Sequence, residues 1–452
     1  MPIQFHSSPN GANLQLQPGL YHFERSDGDG KARIHLRADP DGCGILMVNA
    51  SRVVQLNPTA AQMAFLILKD ISPSISIRFF TDHFKVTKKQ AKSDYELISF
   101  QLKEIMREDG ACPVCDLALD TTLPFSARPS APYRMDLALT YRCNNACSHC
   151  YNARPRNYQE LDTLAWKKIL DLLWDLCIPH VVFTGGEPTL RDDLPQLVAH
   201  AESKGLITGI NTNGRRLADQ AFLQSLLDAG LDHIQITLES HNPAIHDHMV
   251  ASSGAWQETA TGIRNVVASS VYMMTNTTLL THNSPYLEDT LNFLAGEGVP
   301  TIGLNALIYA GRGKTVNSGL AESDLPALLT IASEVTARHN QKLIWYTPTQ
   351  YCHFNPTQLS LGIKGCTAAL YNMCIEPEGS VLPCQSYYHP LGNLLTDPWQ
   401  SIWNNPLAVN LRERKDIPAG CKACDFLFEC AGGCPLAREH QTIEPVHLAV
   451  FL

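Results

Sequence analysis

An alternation of strand-like and helix-like segments over residues 135–344 constrains the fold of this chain more than any other feature. Six apolar, strand-like runs follow one another there: MDLALTY, HVVFTG, ITGINTN, HIQITLES, VYMMTNTTL and TIGLNALIY. Helical patterns lie between them, and the first has an apolar stripe formed by Trp166, Ile169, Leu170 and Leu173. This alternation predicts parallel strands with helices outside them, an α/β fold with a partial (β/α)6 TIM barrel. Active sites of such barrels lie at the C-terminal ends of the strands.

Three further segments complete the predicted organisation. Residues 1–118 begin with strand-like runs and continue with three helical patterns, which predicts a small winged-helix-like module. Residues 119–134 are rich in Pro, Ser and Thr, which is typical of a linker. Residues 345–452 have little periodicity and many cysteines, as expected where metal sites substitute for an apolar core.

Composition limits the classes of partner. The 452 residues are 44% hydrophobic and 17% charged, as in an ordinary globular enzyme, and carry a net charge of -9. A net negative charge provides no overall basic field that would favour nucleic acid or anionic lipid. The sequence begins without a basic stretch followed by an apolar run, and its apolar runs are too short to span a bilayer. We therefore expect a cytoplasmic protein that engages neither nucleic acid nor membrane.

Fifteen cysteines are more than packing requires in a chain of this size. In a reducing compartment, clustered cysteines favour metal binding or catalysis over disulfides. One group follows the first strand-like run with the spacing Cys-x3-Cys-x2-Cys: Cys143, Cys147 and Cys150. Iron–sulfur cubanes usually take four cysteines, so three would leave one iron open, as a catalytic metal site requires. Inert thiols or three zinc ligands are the alternatives.

This cysteine triad, followed directly by Tyr151, resembles the radical S-adenosylmethionine (SAM) superfamily. The resemblance implies that the triad binds a catalytic 4Fe-4S cluster whose open iron chelates the methionine part of SAM. One electron from the cluster would then cleave SAM and yield a 5′-deoxyadenosyl radical. The resemblance also implies an electron donor such as a flavodoxin or ferredoxin. Tyr151 is expected to pack near the cofactor, and His149 is interpreted as loop scaffold.

Later strand ends carry motifs similar to those that line the SAM site in this superfamily. Adjacent glycines after the second run allow a close backbone approach to a ligand, and the resemblance assigns their motif to the SAM amino group. The implied cofactor-binding residues, from the second, third, fourth and sixth runs, are Gly185, Gly186, Glu187, Pro188, Asn211, Thr212, Asn213, Glu239, Ser240 and Gly311. The chain departs from the family pattern at Val250, where relatives often have an arginine that could contact the SAM carboxylate.

A second set of cysteines lies in residues 345–452. Gly379 stands between Cys366 and Cys384, and a Cys-x2-Cys-x5-Cys-x3-Cys run follows from Cys421 to Cys434. This pattern resembles the SPASM extension, a domain that carries auxiliary 4Fe-4S clusters in peptide-modifying radical SAM enzymes. A structural zinc ribbon is the alternative for the Cys-x2-Cys pair.

The resemblance implies one or two auxiliary clusters. One would be held by a first trio: Cys366, Cys384 and Cys434. Another would be held by a second trio: Cys421, Cys424 and Cys430. Our hypothesis gives the first trio Cys352 or Cys374 as its fourth ligand. The second trio would be completed by Cys112 or Cys115, for which inert thiols are an equal alternative, or its cluster would be open to substrate.

Residues 1–118 resemble the small peptide-binding chaperone of quinone-cofactor biosynthesis, which is also fused to peptide maturases as a leader-recognition domain. The resemblance rests on GILMVNASRVVQLNPTAAQMAFLILKD. In that family a leader peptide pairs with an exposed strand edge beside a helix. A vestigial cap, or a winged helix that binds DNA through its lysines, are the alternatives for this module.

Together these resemblances imply an enzyme that matures ribosomally synthesised and post-translationally modified peptides (a RiPP maturase). It would introduce an oxidative cross-link or a related C–H functionalisation into a precursor peptide. Two alternatives remain open at this point. One is a radical SAM enzyme that acts on a small molecule such as a tetrapyrrole or a sugar. The other is a non-catalytic electron-transfer or scaffold protein.

Overall fold

The computed structural model describes residues 14–27, 30–49, 52–106, 129–153 and 158–440. Cys112 and Cys115, for which a ligand role was predicted, lie outside the described residues, as does most of the predicted linker. Contacts divide the chain into two compact units. The first comprises residues up to 130 together with 172–179, and the second comprises residues 131–171 together with those from 180 onward.

The first unit combines an antiparallel sheet with three helices. Its strands pair in sequence order as a meander: β1 (Gly19–Asp27), β2 (Gly30–Ala38), β3 (Gly44–Val48) and β4 (Arg52–Leu56). The helices follow the sheet in the chain: α1 (Pro58–Leu68), α2 (Pro73–His83) and α3 (Lys88–Met106). These elements coincide with the strand-like and helical patterns of the sequence, so the winged-helix-like prediction is confirmed.

Helix α1 anchors the core of the first unit. It begins where the Asn57 side chain accepts a hydrogen bond from the Ala60 amide at 2.8 Å, with Pro58 at its first position. Phe65 and Leu66 are at most 1% exposed and share one apolar cluster with Leu36 of β2. Removal of such apolar surface from water, at about 25 cal/mol per Å², holds the helix on the sheet.

The second unit is built on one sheet whose strand order is β11-β10-β9-β8-β7-β6-β5-β12-β13-β14. The parallel strands are β5 (Arg134–Thr140), β6 (His180–Gly185), β7 (Ile207–Thr212), β8 (His233–Thr237), β9 (Tyr272–Thr278), β10 (Thr301–Asn305), β11 (Lys342–Trp345) and β12 (Asn372–Ile375). Two antiparallel strands end the sheet: β13 (Ser380–Leu382) and β14 (Gly392–Asn393). The order is linear, so the predicted α/β fold with an open, partial barrel is confirmed.

Helices connect these strands or follow them in the chain. The longer ones are α4 (Thr163–Asp175), α5 (Leu194–Lys204), α6 (Gln220–Asp228), α7 (Pro243–Val250), α8 (Ala255–Val267), α9 (Leu287–Gly296) and α10 (Leu325–Arg338). Shorter ones lie in the cysteine-rich segment: α11 (Trp399–Trp403), α12 (Pro406–Arg412), α13 (Leu427–Cys430) and α14 (Pro435–His440). In the part of the chain that the structure describes, every helix is too short or too polar to cross a membrane.

The cysteine-rich segment extends the barrel sheet. Strand β12 pairs in parallel with β5, with Asn372 opposite Arg134 and Ile375 opposite Leu137. Strand β5 therefore has a neighbour on each side, β6 from the barrel and β12 from the cysteine-rich segment. This pairing places the cysteine-rich segment directly beside the strand that precedes the cysteine triad.

A pair of histidines lies at the opposite, N-terminal ends of the strands. The Nε2 atoms of His180 on β6 and His233 on β8 are 2.8 Å apart, within hydrogen-bond distance. Gly209 on the intervening strand β7 makes room for this pair, because a Cβ atom there would lie 2.0 Å from the His233 ring. Burial lowers the pKa of His233 to about 4.

We predict that His233 makes the second unit sensitive to mild acid. Between about pH 6.5 and about pH 4 the unfolded chain binds a proton at this residue that the folded chain excludes. The free energy of unfolding should therefore fall as the pH is lowered through this window, by on the order of 3 kcal/mol in total. Urea unfolding of the iron-free chain, followed by circular dichroism at several pH values, measures this slope.

The matched variants are His233→Gln and His339→Gln. The first should flatten the pH dependence, whereas the second changes an exposed histidine and should leave it as in the parent chain. Equal slopes for the parent chain and His233→Gln would contradict the prediction.

Candidate active site

A cavity of about 340 Å³ lies at the C-terminal ends of the parallel strands. Successive strands each contribute at least one polar side chain to its wall: Thr184 from β6, Asn211 from β7, Thr237 from β8, Asn276 from β9 and Asn305 from β10. Chemistry in barrels of this type takes place at this end of the strands. Most of the lining residues are uncharged and carry a polar group, which suits a ligand with several hydrogen-bonding groups.

The loop after β5 carries the cysteine triad into this cavity, where Cys143, Cys147 and Cys150 all line the wall. The C-terminal turn of α7 holds the loop, because the carbonyl of Val250 accepts a hydrogen bond from the Ala146 amide at 2.9 Å. The Met249 carbonyl likewise accepts a hydrogen bond from the Ser148 amide at 3.0 Å. The three thiols are thus presented by one loop whose backbone is fixed by a neighbouring helix.

Arg215 is a second anchor of this loop, and sequence reasoning missed it. Its Nη1 atom donates hydrogen bonds to the Asn144 carbonyl at 2.6 Å and to Asn145 Oδ1 at 2.8 Å. The Arg215 side chain is 15% exposed, and its Nε atom contacts the Glu258 carboxylate at 2.5 Å. Its position directly after the Asn-Thr-Asn-Gly motif was the available signal in the sequence.

The residues that line the cavity are suited to hold a metal cluster and, beside it, a polar ligand. Burial raises the pKa of Cys143 to about 11 and that of Cys147 further, so the metal-free thiols hold their protons until a metal displaces them. Two atoms in the cavity residues, Asn276 Oδ1 and His149 Nδ1, are buried without a hydrogen-bond partner among the described residues. Such atoms are normally satisfied, so a polar ligand is expected to bind there.

In the described ranges, no three Cys, His, Asp or Glu side chains converge closely enough to bind a single metal ion. A cubane does not require such convergence, because each thiolate binds a different iron.

Gly185 and Gly186 line the cavity, and their lack of side chains is required by the neighbouring strand. A Cβ atom on Gly185 would lie 2.1 Å from the Thr140 carbonyl oxygen, and one on Gly186 would lie 2.3 Å from that of Arg142. The φ angle of Gly185 is +137°, a conformation that favours glycine. The two glycines therefore let the end of β6 pack against the start of the cysteine loop.

Glu187 lies behind the cavity wall and stabilises it by hydrogen bonds. Its buried carboxylate accepts hydrogen bonds from the Thr189 amide and hydroxyl, the Thr212 hydroxyl and the Asn213 amide, at 2.6–3.1 Å. Burial raises the pKa of Glu187, and these hydrogen bonds oppose that shift. Thr212 and Asn213 line the cavity, whereas Glu187 and Pro188 do not. Direct contact of the last two with SAM stays a prediction.

Glu239 lines the cavity and is paired with a residue of the cysteine loop. Its carboxylate lies 2.9 Å from His149 Nε2 and accepts a hydrogen bond from the Thr278 amide at 2.9 Å. Both partners are buried, with Glu239 only 1% exposed. His149 therefore connects the loop after β5 to the ends of β8 and β9. Ser240 is fully buried outside the cavity wall, so its predicted contact with the cofactor remains untested.

Tyr151 lines the cavity and joins it to the cysteine-rich segment. Its hydroxyl donates a hydrogen bond to Gln385 Oε1 at 3.0 Å, and its carbonyl accepts one from the Tyr388 hydroxyl at 2.6 Å. Burial raises the pKa of Tyr151 well above its usual value. Gln385 is also in the cavity wall and directly follows Cys384 of the first trio. The first trio is therefore adjacent in the chain to the cavity.

Gly311 does not line the cavity, but Arg312 does. A Cβ atom on Gly311 would lie 2.3 Å from the Tyr151 carbonyl oxygen, so this glycine packs against the cysteine loop. The Arg312 amide donates a hydrogen bond to the Cys150 carbonyl at 3.0 Å. The predicted approach of Gly311 to adenine stays a prediction.

The structure brings the first trio together. Burial raises the pKa values of Cys366 and Cys384 to about 12, and Cys434 adds to both shifts through its negative charge when ionised. Cys374 lies on β12, where it is fully buried in an apolar cluster with Ala138 and Leu382. The second trio, which is Cys421, Cys424 and Cys430, forms a separate group near α13, and Cys352 lies beside it.

We predict that Arg215→Ala loosens the cysteine loop. The variant loses charge-assisted hydrogen bonds worth about 1.5–3 kcal/mol each, so iron loss from this loop should accelerate about tenfold or more. Release of iron to a chelator, recorded anaerobically in variants that lack both cysteine trios, measures the rate. Arg264→Ala is the matched control, since Arg264 is bound to Glu297 at the surface and should have no effect. Identical release rates for the two variants would refute the anchoring role.

Comparisons with known proteins agree with this geometry. The family model of the radical SAM superfamily matches residues 137–294, and that of the SPASM iron-sulfur cluster-binding domain matches residues 366–425. The second match covers Cys366, Cys384, Cys421 and Cys424, so the zinc-ribbon alternative is not supported.

Curated relatives include a PqqA peptide cyclase from Xanthomonas campestris pv. campestris. It is 29% identical over 330 residues, which cover 70% of this chain and 86% of the relative. An Fe-coproporphyrin III synthase from Methanosarcina barkeri is 28% identical over 325 residues, which cover 65% of this chain and 81% of the relative.

Among solved structures, Streptococcus suis SuiB bound to S-adenosylmethionine superposes with a TM-score of 0.67 at 15% identity. The match covers 90% of this chain and 96% of SuiB. SuiB bound to its precursor peptide SuiA gives the same TM-score and covers 93% of this chain and 97% of that chain. The two domain matches, with which the curated relatives agree, show that the chain contains a radical SAM domain followed by a SPASM iron-sulfur cluster-binding domain: it is an enzyme whose cofactors are S-adenosylmethionine and 4Fe-4S clusters.

Proposed function

We propose that this enzyme modifies a ribosomally synthesised precursor peptide by forming an oxidative cross-link or a related C–H functionalisation. The observation that carries the proposal is the shared wall of the cavity, to which both the triad and Gln385 beside Cys384 contribute. A substrate in this cavity lies between the site of radical formation and an auxiliary cluster that can accept an electron. The similarity to a peptide cyclase and the fold shared with a maturase of a precursor peptide support a peptide as the substrate.

When bound, the cofactors would supply one chemistry, the reductive cleavage of SAM that provides a radical able to abstract a substrate hydrogen. The protein chain positions the cofactors and encloses the substrate. Cys143, Cys147 and Cys150 would hold the catalytic cluster, and the amino group of SAM would approach the backbone at Gly185 and Gly186, which line the cavity. Glu187 keeps the Thr212–Asn213 segment in place by its hydrogen bonds.

Arg312 is our candidate for the SAM carboxylate. Val250 lines the cavity where relatives often have an arginine, so that contact must come from elsewhere. The Arg312 side chain lines the same cavity, and its backbone is fixed to the cysteine loop through Cys150. A guanidinium is well suited to bind a carboxylate.

The first unit is proposed to bind the leader region of the peptide. Strand β4 is the last strand of its sheet, and Val53 on this strand is 45% exposed. On α3, Leu97 and Phe100 are 52% and 56% exposed. Arg52 of β4 donates a hydrogen bond to the carbonyl of Ile105, so the strand and the helix are neighbours at this end. An extended peptide could add to β4 and bury these apolar side chains.

We predict that substitution of the triad by alanine abolishes 5′-deoxyadenosine formation. Without three thiolates the catalytic cluster has no protein ligands, so SAM cleavage should fall to background. Chromatographic detection of 5′-deoxyadenosine under dithionite measures this, and Cys43→Ala, outside the second unit, should retain parent activity. If the triad variant formed as much 5′-deoxyadenosine as the parent chain, the assignment of the radical site would be wrong.

We predict that Leu97→Glu weakens binding of the leader region of the precursor peptide by about tenfold or more. A carboxylate at a buried apolar contact adds a desolvation cost above about 1.4 kcal/mol. Fluorescence anisotropy of the labelled peptide with the full-length chain measures the affinity. Leu164→Glu changes another exposed leucine, on α4, and is the matched control. Equal affinities for both variants would argue against this surface.

A small-molecule substrate is the second candidate, and the similarity to an Fe-coproporphyrin III synthase favours it. Peptide binding separates the two candidates. A chain that binds no leader peptide, yet converts a tetrapyrrole with SAM consumption, would support the second. For either substrate we propose a reducing cytoplasm, since all cysteines of the described residues are free thiols. We also propose an electron donor such as a flavodoxin or ferredoxin, because reductive cleavage of SAM requires an electron.

A further inference from the structure

Cys352 lies in a short segment that packs along the end of the cysteine-rich domain. The Pro348 carbonyl accepts a hydrogen bond from the Cys434 amide at 3.2 Å, which aligns the two backbones. Closer to Cys352, the Tyr351 amide donates a hydrogen bond to Cys430 Sγ at 3.4 Å. The Cys430 thiol in turn donates to the Thr349 carbonyl at 3.7 Å. The residue directly before Cys352 therefore touches a sulfur atom of the second trio.

The turn that carries Cys352 is fixed from its other side by Glu322. This carboxylate accepts a hydrogen bond from the Gln350 amide at 3.2 Å and lies 3.0 Å from His353 Nδ1. The His353 amide closes the turn by donating to the Gln350 carbonyl at 2.8 Å. Hydrogen bonds therefore fix the residues on both sides of Cys352, which holds its backbone close to Cys430 of the second trio.

Thiol–thiol interactions agree with this placement. Burial raises the pKa of Cys352, and the neighbouring thiols of Cys430 and Cys421 contribute to the increase. Burial also raises the pKa of Cys366 and that of Cys384, but there the contributing thiols are those of the first trio. Cys434 contributes to both increases, and Cys366 contributes to that of Cys384. Cys352 therefore groups with the second trio, whereas our sequence-based hypothesis had offered Cys352 or Cys374 as the fourth ligand of the first.

We infer that Cys352 is the fourth thiolate of the auxiliary cluster held by Cys421, Cys424 and Cys430. The donor set is then four cysteines, the number that a 4Fe-4S cluster usually takes. The Tyr351, Gly432 and Gly433 amides donate hydrogen bonds to Cys430 and would stabilise the negative charge of its thiolate. Neither Cys112 nor Cys115 is needed to complete this site. The assignment does not depend on the identity of the substrate.

This assignment changes the expected roles of the two auxiliary clusters. A cluster with four protein thiolates has no open iron, so the cluster of the second trio transfers electrons and does not bind a substrate thiolate. The cluster of the first trio is next to the cavity through Gln385, and any auxiliary contact with the substrate is made there.

The test compares Cys352→Ser in two anaerobically reconstituted full-length backgrounds. One background lacks the triad and the first trio, so it retains the cluster of the second trio. The other lacks the triad and the second trio, so it retains the cluster of the first trio. In the former, Cys352→Ser should cause the loss of about one iron of four per chain and a three-iron electron paramagnetic resonance signal after brief oxidation. In the latter, iron content and spectrum should not change.

Cys374→Ser in the first-named background is the matched control and should leave the cluster intact. Iron loss confined to the background that retains the first trio would overturn the assignment in favour of our earlier hypothesis. Iron loss in both backgrounds would also overturn it, because such loss indicates a general structural effect. Iron loss in neither background would show that Cys352 is not a ligand.

Alkylation of the unsubstituted chain provides a measurement that does not depend on folding of a variant. Cys352 should be protected from iodoacetamide when the clusters are loaded and should react after iron is removed by a chelator, as judged by peptide mass spectrometry. Equal labelling in both states would overturn the proposal.

Discussion

The two-sided pairing of β5 is the constraint on which the rest of the second unit depends. Its partner β6 belongs to the barrel, and its partner β12 belongs to the cysteine-rich segment. The catalytic triad follows β5, the glycine pair follows β6, and Cys384 follows the hairpin that β12 forms with β13. Because β5 and β6 are parallel neighbours, the triad and the glycine pair lie at one edge of the sheet. Strand β13 runs antiparallel to β12 and turns back from that edge, so contacts with Tyr151, and not strand direction, connect the segment after Cys384 to the radical site. Hydrogen bonds from Tyr151 and Tyr388 then join the two loops directly.

Buried polar contacts hold the cavity in shape. Glu187 ties the end of β6 to that of β7, and Glu239 ties β8 and β9 to the cysteine loop through His149. Neither carboxylate is exposed to water, so each depends on its hydrogen bonds for compensation of its burial. Their loss would displace several wall segments at once, because each side chain contacts more than one strand end.

Much of this architecture is predictable from sequence, because apolar periodicity and cysteine spacing are local properties. The six barrel strands and the elements of the first unit follow from such patterns. Strands β11 and β12 were missed, since each is four residues long and forms through a partner remote in the chain. Our inference moves Cys352 from the first trio to the second, and sequence spacing could not have distinguished the two for a related reason. Spacing within a motif limits which thiols share a cluster, but it contains no information on the three-dimensional position of a segment that is remote in the sequence.

Solvent exposure distinguishes the two auxiliary sites. In the second site Cys352 and Cys424 are exposed although Cys430 is buried, whereas all three cysteines of the first trio are half-buried. Water stabilises the additional negative charge of a reduced iron–sulfur cluster, so the exposed site should have the more positive reduction potential. An electron removed from a substrate in the cavity would then move downhill, from the buried cluster to the exposed one. If the clusters are held as we propose, the molecular surface beside Cys424 would be the exit for reducing equivalents, where an external carrier could collect them.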